Sequence, residues 1–174
     1  VTVRGIDPSY LHMAIMKLRA MGCCVEAGED WITCSRNQPL QPTDIQTLPH
    51  PGFPTDLQAQ FMLLCSLAHG TSMVTENVFE NRFMFASELA RMGADITIED
   101  HHALVRGVND LQGTDVSSTD LRAGAALVLA GIVAEGETRV HNIKHIDRGY
   151  EDYCGKLSQL GASVSRRQVG AAGE

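Results

Sequence analysis

The chain has 174 residues, 44 % of them apolar and 20 % charged, an ordinary globular composition at a length that buries roughly 70 % of the unfolded surface without disulfides or metal. Fourteen Lys and Arg against 21 Asp and Glu give a formal net charge of -7, which argues against a general nucleic-acid binder. The longest apolar stretch, Ala123 to Ala134, is about 12 residues where a membrane span needs roughly 20. VTVRGIDPSY lacks the apolar core of a signal peptide, so no membrane partner is expected and a cytoplasmic location is.

In chain order, VTVRG runs directly into a helix from Ser9 to Met21 that ends in LRAMGC. Related phrases end two later helices: LARMGA from Leu89 and LSQLGA from Leu157. Their glycines, Gly22, Gly93 and Gly161, are almost evenly spaced along the chain, and each suits the left-handed position that closes a helix. Alternating strand stretches follow, ADITIED and ALVRGV after the second and a shorter ASVSRR after the third. A second pair of helices runs from Leu57 to His69 and from Leu121 to Glu135. Each follows a Thr-Asp pair, Thr55-Asp56 or Thr119-Asp120, and each is closed by a glycine, Gly70 or Gly136. LRAGAALVLAGIVAE has no wide polar face, so it must be buried on all sides. The helices ending in LARMGA and LSQLGA carry more charge and should face solvent on one side. The unit reads strand, helix, strand, helix, strand, strand, and at the spacing of the closing glycines about two and a half units fit. The fold class is α/β (α+β), with repeated units around buried helices. Residues 1–168 form a domain truncated at its start, and 169–174 read as a frayed tail.

The cysteines, Cys23, Cys24, Cys34, Cys65 and Cys154, are odd in number and contain no C-x-x-C. They read as reduced thiols acting as small hydrophobes. The histidines have no zinc spacing, and His101-His102 would point apart on a strand. No metal is therefore expected.

Thr55 and Asp56 stand where a helix begins, and Thr55-x-x-Gln58 fits a capping box. In the second copy, Thr119-Asp120-Leu121-Arg122, the fourth residue is an arginine. It has no acceptor with which to return the bond, and the helix dipole disfavours a cation there. An anion gathered at that helix start accounts for it. Arg82 and Arg148 stand at equal distances beyond the helix-closing glycines Gly70 and Gly136. Singly, each reads equally well as a surface ion pair, such as Arg148 with Glu151 or Asp152. Together with Arg122 they point to an anion site, beside which the Asp56 carboxylate could act as a base or hold a hydroxyl. The residues by themselves reach a cleft for an anionic small molecule.

The phrases FPTDLQAQ, FENRF, TDLRA and HIDRGYE together resemble the UDP-N-acetylglucosamine enolpyruvyl transferases, and the resemblance covers nearly the whole chain. It implies an inside-out α/β barrel domain of three β-α-β-α-β-β units, the C-terminal part of a two-domain enzyme. That family moves the enolpyruvyl group of phosphoenolpyruvate to the 3-hydroxyl of UDP-N-acetylglucosamine and releases phosphate, the committed step towards peptidoglycan. It needs no cofactor. By the same resemblance Asp56 is the favoured base at the sugar hydroxyl and Val78, before FENRF, contacts the nucleotide sugar. Arg82, Arg122 and Arg148 line the phosphoenolpyruvate region, and Asp120 serves proton transfer at the reacting carbons. Ser117 and Ser118 stand where the family has methionine and alanine. The family's reactive cysteine belongs to the other domain, so none of the five here matches it, and the isolated chain is expected to be inactive. The alternatives are a stand-alone, non-catalytic module that binds a nucleotide sugar or anion, and the related shikimate enolpyruvyl transferase, which shares the fold.

Overall fold

A computed structural model of the chain describes residues 1–80 and 82–167; the expected frayed tail, 169–174, lies outside them. The first unit comprises β1 (Thr2–Arg4), a 3-10 turn at Pro8–Leu11, α1 (His12–Ala20), β2 (Cys24–Ala27) and β3 (Trp31–Ser35). Its sheet has the order β1-β3-β2, all antiparallel. Trp31 lies over the β2–β3 turn so closely that a Cβ on Gly28 would meet its indole nitrogen at 2.1 Å. Ile15, Val25 and Ile32 form a small apolar cluster of their own beneath this sheet.

The second unit is complete. It comprises β4 (Ile45–Gln46), a 3-10 turn at Thr55–Leu57, α2 (Gln58–Ser66), β5 (Thr71–Thr75), α3 (Ala86–Arg91), β6 (Asp95–Glu99) and β7 (His102–Arg106). Its sheet runs β4-β5-β7-β6, with β4 parallel to β5 and the other pairs antiparallel. The order β5-β7-β6 reproduces β1-β3-β2, so the repeat read from the helix-ending phrases is a repeat of structure. The third unit holds β8 (Asp115–Ser117), α4 (Leu121–Val133), β9 (Arg139–His141), α5 (Lys144–Asp147) and α6 (Tyr153–Gln159), with β8 parallel to β9. Among the described residues the strands form three separate sheets, not a closed barrel. Gly22, Gly93 and Gly161 take φ of 88°, 97° and 92°, the left-handed values that end a helix.

The two apolar helices, α2 and α4, pack against each other. In α2, Gln58, Ala59, Phe61, Met62, Leu63, Cys65 and Ser66 are all buried. Phe53 meets Phe61 edge-on, ring centroids 4.9 Å apart, a favoured aromatic arrangement. Helix α4 departs from the expectation of burial on all sides: Ile132 and Val133 are 38 % and 54 % exposed. It is four residues longer, with 13 residues to the 9 of α2. The two helices start side by side, so the last turn of α4 emerges beyond its partner. The outer helices behave as their charge suggests: α3 buries Ala86 and Leu89, and α6 buries Leu157.

Three local expectations are corrected. ASVSRR at 162–167 forms no strand. The Val164 amide donates to the Ala162 carbonyl at 3.1 Å, and Arg166 forks onto Asp147 at 2.9 and 2.8 Å, so the segment closes locally instead of joining a ladder. The histidine pair does not point apart, because His101 lies in the β6–β7 turn and only His102 lies in a strand; the rings are 3.9 Å apart. The third is the capping box. Thr55 opens a 3-10 turn after Pro54, the residue that precedes α2 is Leu57, and no side chain caps either start.

Candidate functional site

The starts of α2 and α4 meet. Asp56 sits in the 3-10 turn leading into α2, and its Oδ1 accepts from Nε of Arg122, in the first turn of α4. The Asp56 carboxylate is 63 % exposed and the Arg122 side chain 32 %. The guanidinium that sits awkwardly at a helix start therefore has a carboxylate partner far away in sequence, a pairing not anticipated from the spacing. Asp120 caps α4: its Oδ1 accepts from the Arg122 and Ala123 amides at 2.8 and 3.1 Å, satisfying two donors that the helix leaves open. Among the described residues its Oδ2 makes no hydrogen bond.

A narrow niche lies between these helix starts, lined by Thr55, Gln58, Arg82, Asp120 and Arg122 among others. Arg82 follows the loop after β5, and its guanidinium stacks over Phe79 at 4.4 Å. It also lines an adjoining cleft of about 600 Å³ with Glu76, Val78, Phe79, Asp100 and His101. Arg82 thus joins the two spaces. Arg148, the residue after α5, lines neither. Its side chain is exposed and forms no ion pair among the described residues, because Glu151 turns to Lys156 and Asp152 caps α6. The neighbouring Gly149 does press on Leu121, which brings this chain segment to the first residue of α4. The structure therefore gathers Asp56, Asp120, Arg82 and Arg122, adds Val78 through the cleft, and leaves Arg148 at the margin.

Three residues escaped the sequence reading. Gln58 is 2 % exposed and lines the niche, and its Nε2 has no partner among the described residues. Such an orphaned buried donor is costly unless something occupies it. Tyr150 lies close enough to feel both site charges: burial pushes its hydroxyl pKa up, and Arg122 and Asp56 act on it with opposite signs. Glu76 is buried at the end of β5 and bonded to Thr55. No signal in the sequence marks Glu76, whose counterpart in the third unit is Asn142; Tyr150 falls inside a motif phrase without a signal of its own, and Gln58 was legible only as a capping partner.

The cysteines stand apart from the niche, and all five are free. Cys65 is fully buried in α2, and burial pushes its thiol up to about 11. Burial, with Cys34 beside it, raises Cys23 as well. No helix among the described residues is long and apolar enough to cross a membrane.

A family model described as EPSP synthase (3-phosphoshikimate 1-carboxyvinyltransferase) matches residues 1–157. A protein named UDP-N-acetylglucosamine 1-carboxyvinyltransferase from Psychrobacter sp. is 49 % identical over 166 residues, covering 95 % of this chain and 38 % of that relative. One of the same name from Desulfofundulus thermocisternus is 52 % identical over 166 residues, covering 95 % of this chain and 68 % of the relative. The chain thus spans well under half the length of the Psychrobacter relative. Among solved structures, the enolpyruvyl transferase NikO from Streptomyces tendae superposes with a TM-score of 0.84 at 33 % identity, covering 92 % of this chain and 38 % of that one.

Proposed function

The chain belongs to the enolpyruvyl transferase family described as EPSP synthase (3-phosphoshikimate 1-carboxyvinyltransferase), and from that premise we propose that it is the C-terminal part of a cytoplasmic UDP-N-acetylglucosamine 1-carboxyvinyltransferase. In this reading the enzyme transfers the enolpyruvyl group of phosphoenolpyruvate to the 3-hydroxyl of UDP-N-acetylglucosamine, releases phosphate, and draws the rest of its cleft from a preceding domain. The observation that carries it is the meeting of Asp56 with Arg122 beside Arg82 and Asp120 at two facing helix starts.

Phosphoenolpyruvate carries a phosphate and a carboxylate, and both match the guanidinium fork. Arg82 and Arg122 hold the anionic groups, and Arg148 joins them from the margin once substrate is bound. Val78 lies along the nucleotide sugar. Asp56 removes the proton of the attacking hydroxyl, whose oxygen bonds to the substituted carbon of the double bond, while a proton is added to the methylene carbon. Loss of phosphate then restores the double bond as that carbon gives a proton back. Asp120, with an unengaged carboxylate oxygen, serves the transfers at carbon. The Asp56 carboxylate is exposed and oriented by the Arg122 guanidinium, which leaves it within reach of an incoming hydroxyl.

Phosphate release from the two substrates by the full-length enzyme tests this directly. Arg82→Ala and Arg122→Ala should each raise the KM for phosphoenolpyruvate by about tenfold or more. Unchanged kinetics in both variants would refute the anion-site assignment. If the full-length enzyme bound both substrates and released no phosphate, the chain would instead be a binding module.

A further inference from the structure

Glu76 is 3 % exposed, and the proposed chemistry makes no use of its carboxylate. Its Oε1 accepts from the Thr47 hydroxyl at 2.8 Å and from the amides of Val78 and Phe79 at 2.8 and 3.1 Å. Its Oε2 accepts from the Thr55 hydroxyl at 2.9 Å. A carboxylate taken out of water is tolerated where donors replace its hydration, and four do so here. Thr47 adds a second tie, accepting from the Asn77 amide at 2.9 Å through its hydroxyl and from Asn77 Nδ2 at 3.1 Å through its carbonyl. One buried group therefore joins three segments: the end of β4, the loop carrying Val78, and the turn in which Thr55 adjoins Asp56.

The third unit supplies an internal comparison. The offset that carries Gly70 to Gly136 and Arg82 to Arg148 carries Glu76 to Asn142. Asn142 is left-handed, with φ of 56°, and its amide donates to the Ser117 hydroxyl at 2.7 Å. Thr119, the counterpart of Thr55, is left with a buried hydroxyl that has no partner among the described residues. The third unit thus keeps a bond from this place to its β8 strand but has none to the counterpart of Thr55, so the arm to the helix start is peculiar to the second unit.

We infer that Glu76 is a positioning residue that fixes the Val78 loop relative to Asp56, so that a nucleotide sugar lying along Val78 presents its hydroxyl to the Asp56 carboxylate. This rests on the functional reading above. Small displacements from a productive geometry can cost two orders of magnitude in rate, so the tie has consequences for turnover that packing alone does not have.

Three variants of the full-length enzyme test it. Thr55→Val cuts only the arm to Asp56, and Glu76→Ala cuts every arm. Glu76→Gln keeps the shape: its amide oxygen accepts from Thr47, Val78 and Phe79, and its NH2 donates to the Thr55 hydroxyl. Glu76→Ala should speed hydrogen exchange at the Val78 and Phe79 amides by about tenfold or more. It should also raise the KM for UDP-N-acetylglucosamine about tenfold, with the KM for phosphoenolpyruvate changed by less than about twofold. Thr55→Val should lower kcat about tenfold without altering exchange in the loop. Glu76→Gln should return each quantity to within about threefold of the parent. Parent kcat in Thr55→Val, or Glu76→Gln as impaired as Glu76→Ala, overturns the inference, as does a parallel rise in both KM values. If Glu76→Ala does not fold, Thr55→Val and Glu76→Gln decide. The exchange measurement needs no substrate, so unchanged exchange in Glu76→Ala sinks the tie, whereas a parent enzyme silent on both substrates sinks the functional reading and leaves the exchange result standing.

Discussion

Asp56 meets Arg122 in an ion pair whose carboxylate is mostly exposed, and exposed pairs of this kind contribute about 0–1 kcal/mol to stability. Its loss should therefore be felt in chemistry before folding. In the full-length enzyme, Asp56→Asn should lower kcat by about a hundredfold or more and move Tm by no more than about 3 °C. Preserved turnover with a large fall in Tm would reverse the assignment and make Asp56 structural. Cys65 shows the opposite balance, inert chemically and informative thermodynamically. Burial raises its thiol from 9.0 to about 11. The unfolded chain releases this proton near 9.0 and the folded chain holds it until about 11. The contribution to stability is thus complete below the unfolded value and lost as pH rises through that window. It amounts to about 2 kcal/mol by the upper end. Urea titrations from about pH 8 to about pH 11 should show Cys65→Ala falling less steeply than the parent by that amount. At this scale an arginine in a first helical turn is a local anomaly, and Arg122 was readable for that reason. Its actual partner was not, because Asp56 lies in another unit. Glu76 was hidden for a similar reason: its donors come from Thr47, Thr55 and its own loop, and no periodicity marks it.

Among the elements, the helix-closing glycines and the β7 connection place different demands on glycine. Gly93 has φ of 97° with open space around it, so Gly93→Ala meets backbone strain alone and should cost about 1–2 kcal/mol. Gly107 is close-packed: its amide donates to the Gly70 carbonyl at 2.8 Å, and a Cβ there would lie 1.5 Å from the Ala68 carbonyl oxygen. Gly107→Ala must displace the turn between α2 and β5 and should cost about 3 kcal/mol or more. Urea midpoints for the two variants check this order, and a smaller loss for Gly107→Ala would contradict the packing described. The elements most legible in sequence were those whose signal repeats: the glycine-ended helices and the two Thr-Asp helix starts. The capping box at Thr55 failed because a 3-10 turn intervenes and the residue that precedes α2 is Leu57, which has no side-chain oxygen to cap it. The strand at 162–167 failed because alternation makes a strand only where a neighbour supplies a ladder.

For the whole molecule, the described residues hold one unit with all six strands and helices, between a first unit of three strands and one helix and a third of two strands and three helices. The shared core runs through α2 and α4, where Met62 and Leu127 are wholly buried. Leu127→Ala in the full-length enzyme should cost about 2–5 kcal/mol and shift the urea transition seen by circular dichroism accordingly. A loss under about 1 kcal/mol would show that the α2–α4 contact is not a shared core. Function at this scale is less legible than fold, because a cleft assembled from distant segments leaves only isolated residues as its trace in the sequence.

The position of Trp31 bears on how binding to this part of the enzyme is to be observed. It is the one tryptophan in the chain, on the first unit's sheet over Gly28, and neither the niche nor the cleft draws a lining residue from that sheet. Its fluorescence reports the packing of the first unit. A ligand entering between the helix starts should leave that emission nearly unchanged, so a flat intrinsic-fluorescence titration of this chain carries no information about occupancy. Calorimetry, or an indole introduced near Phe79, would be needed to see the site fill.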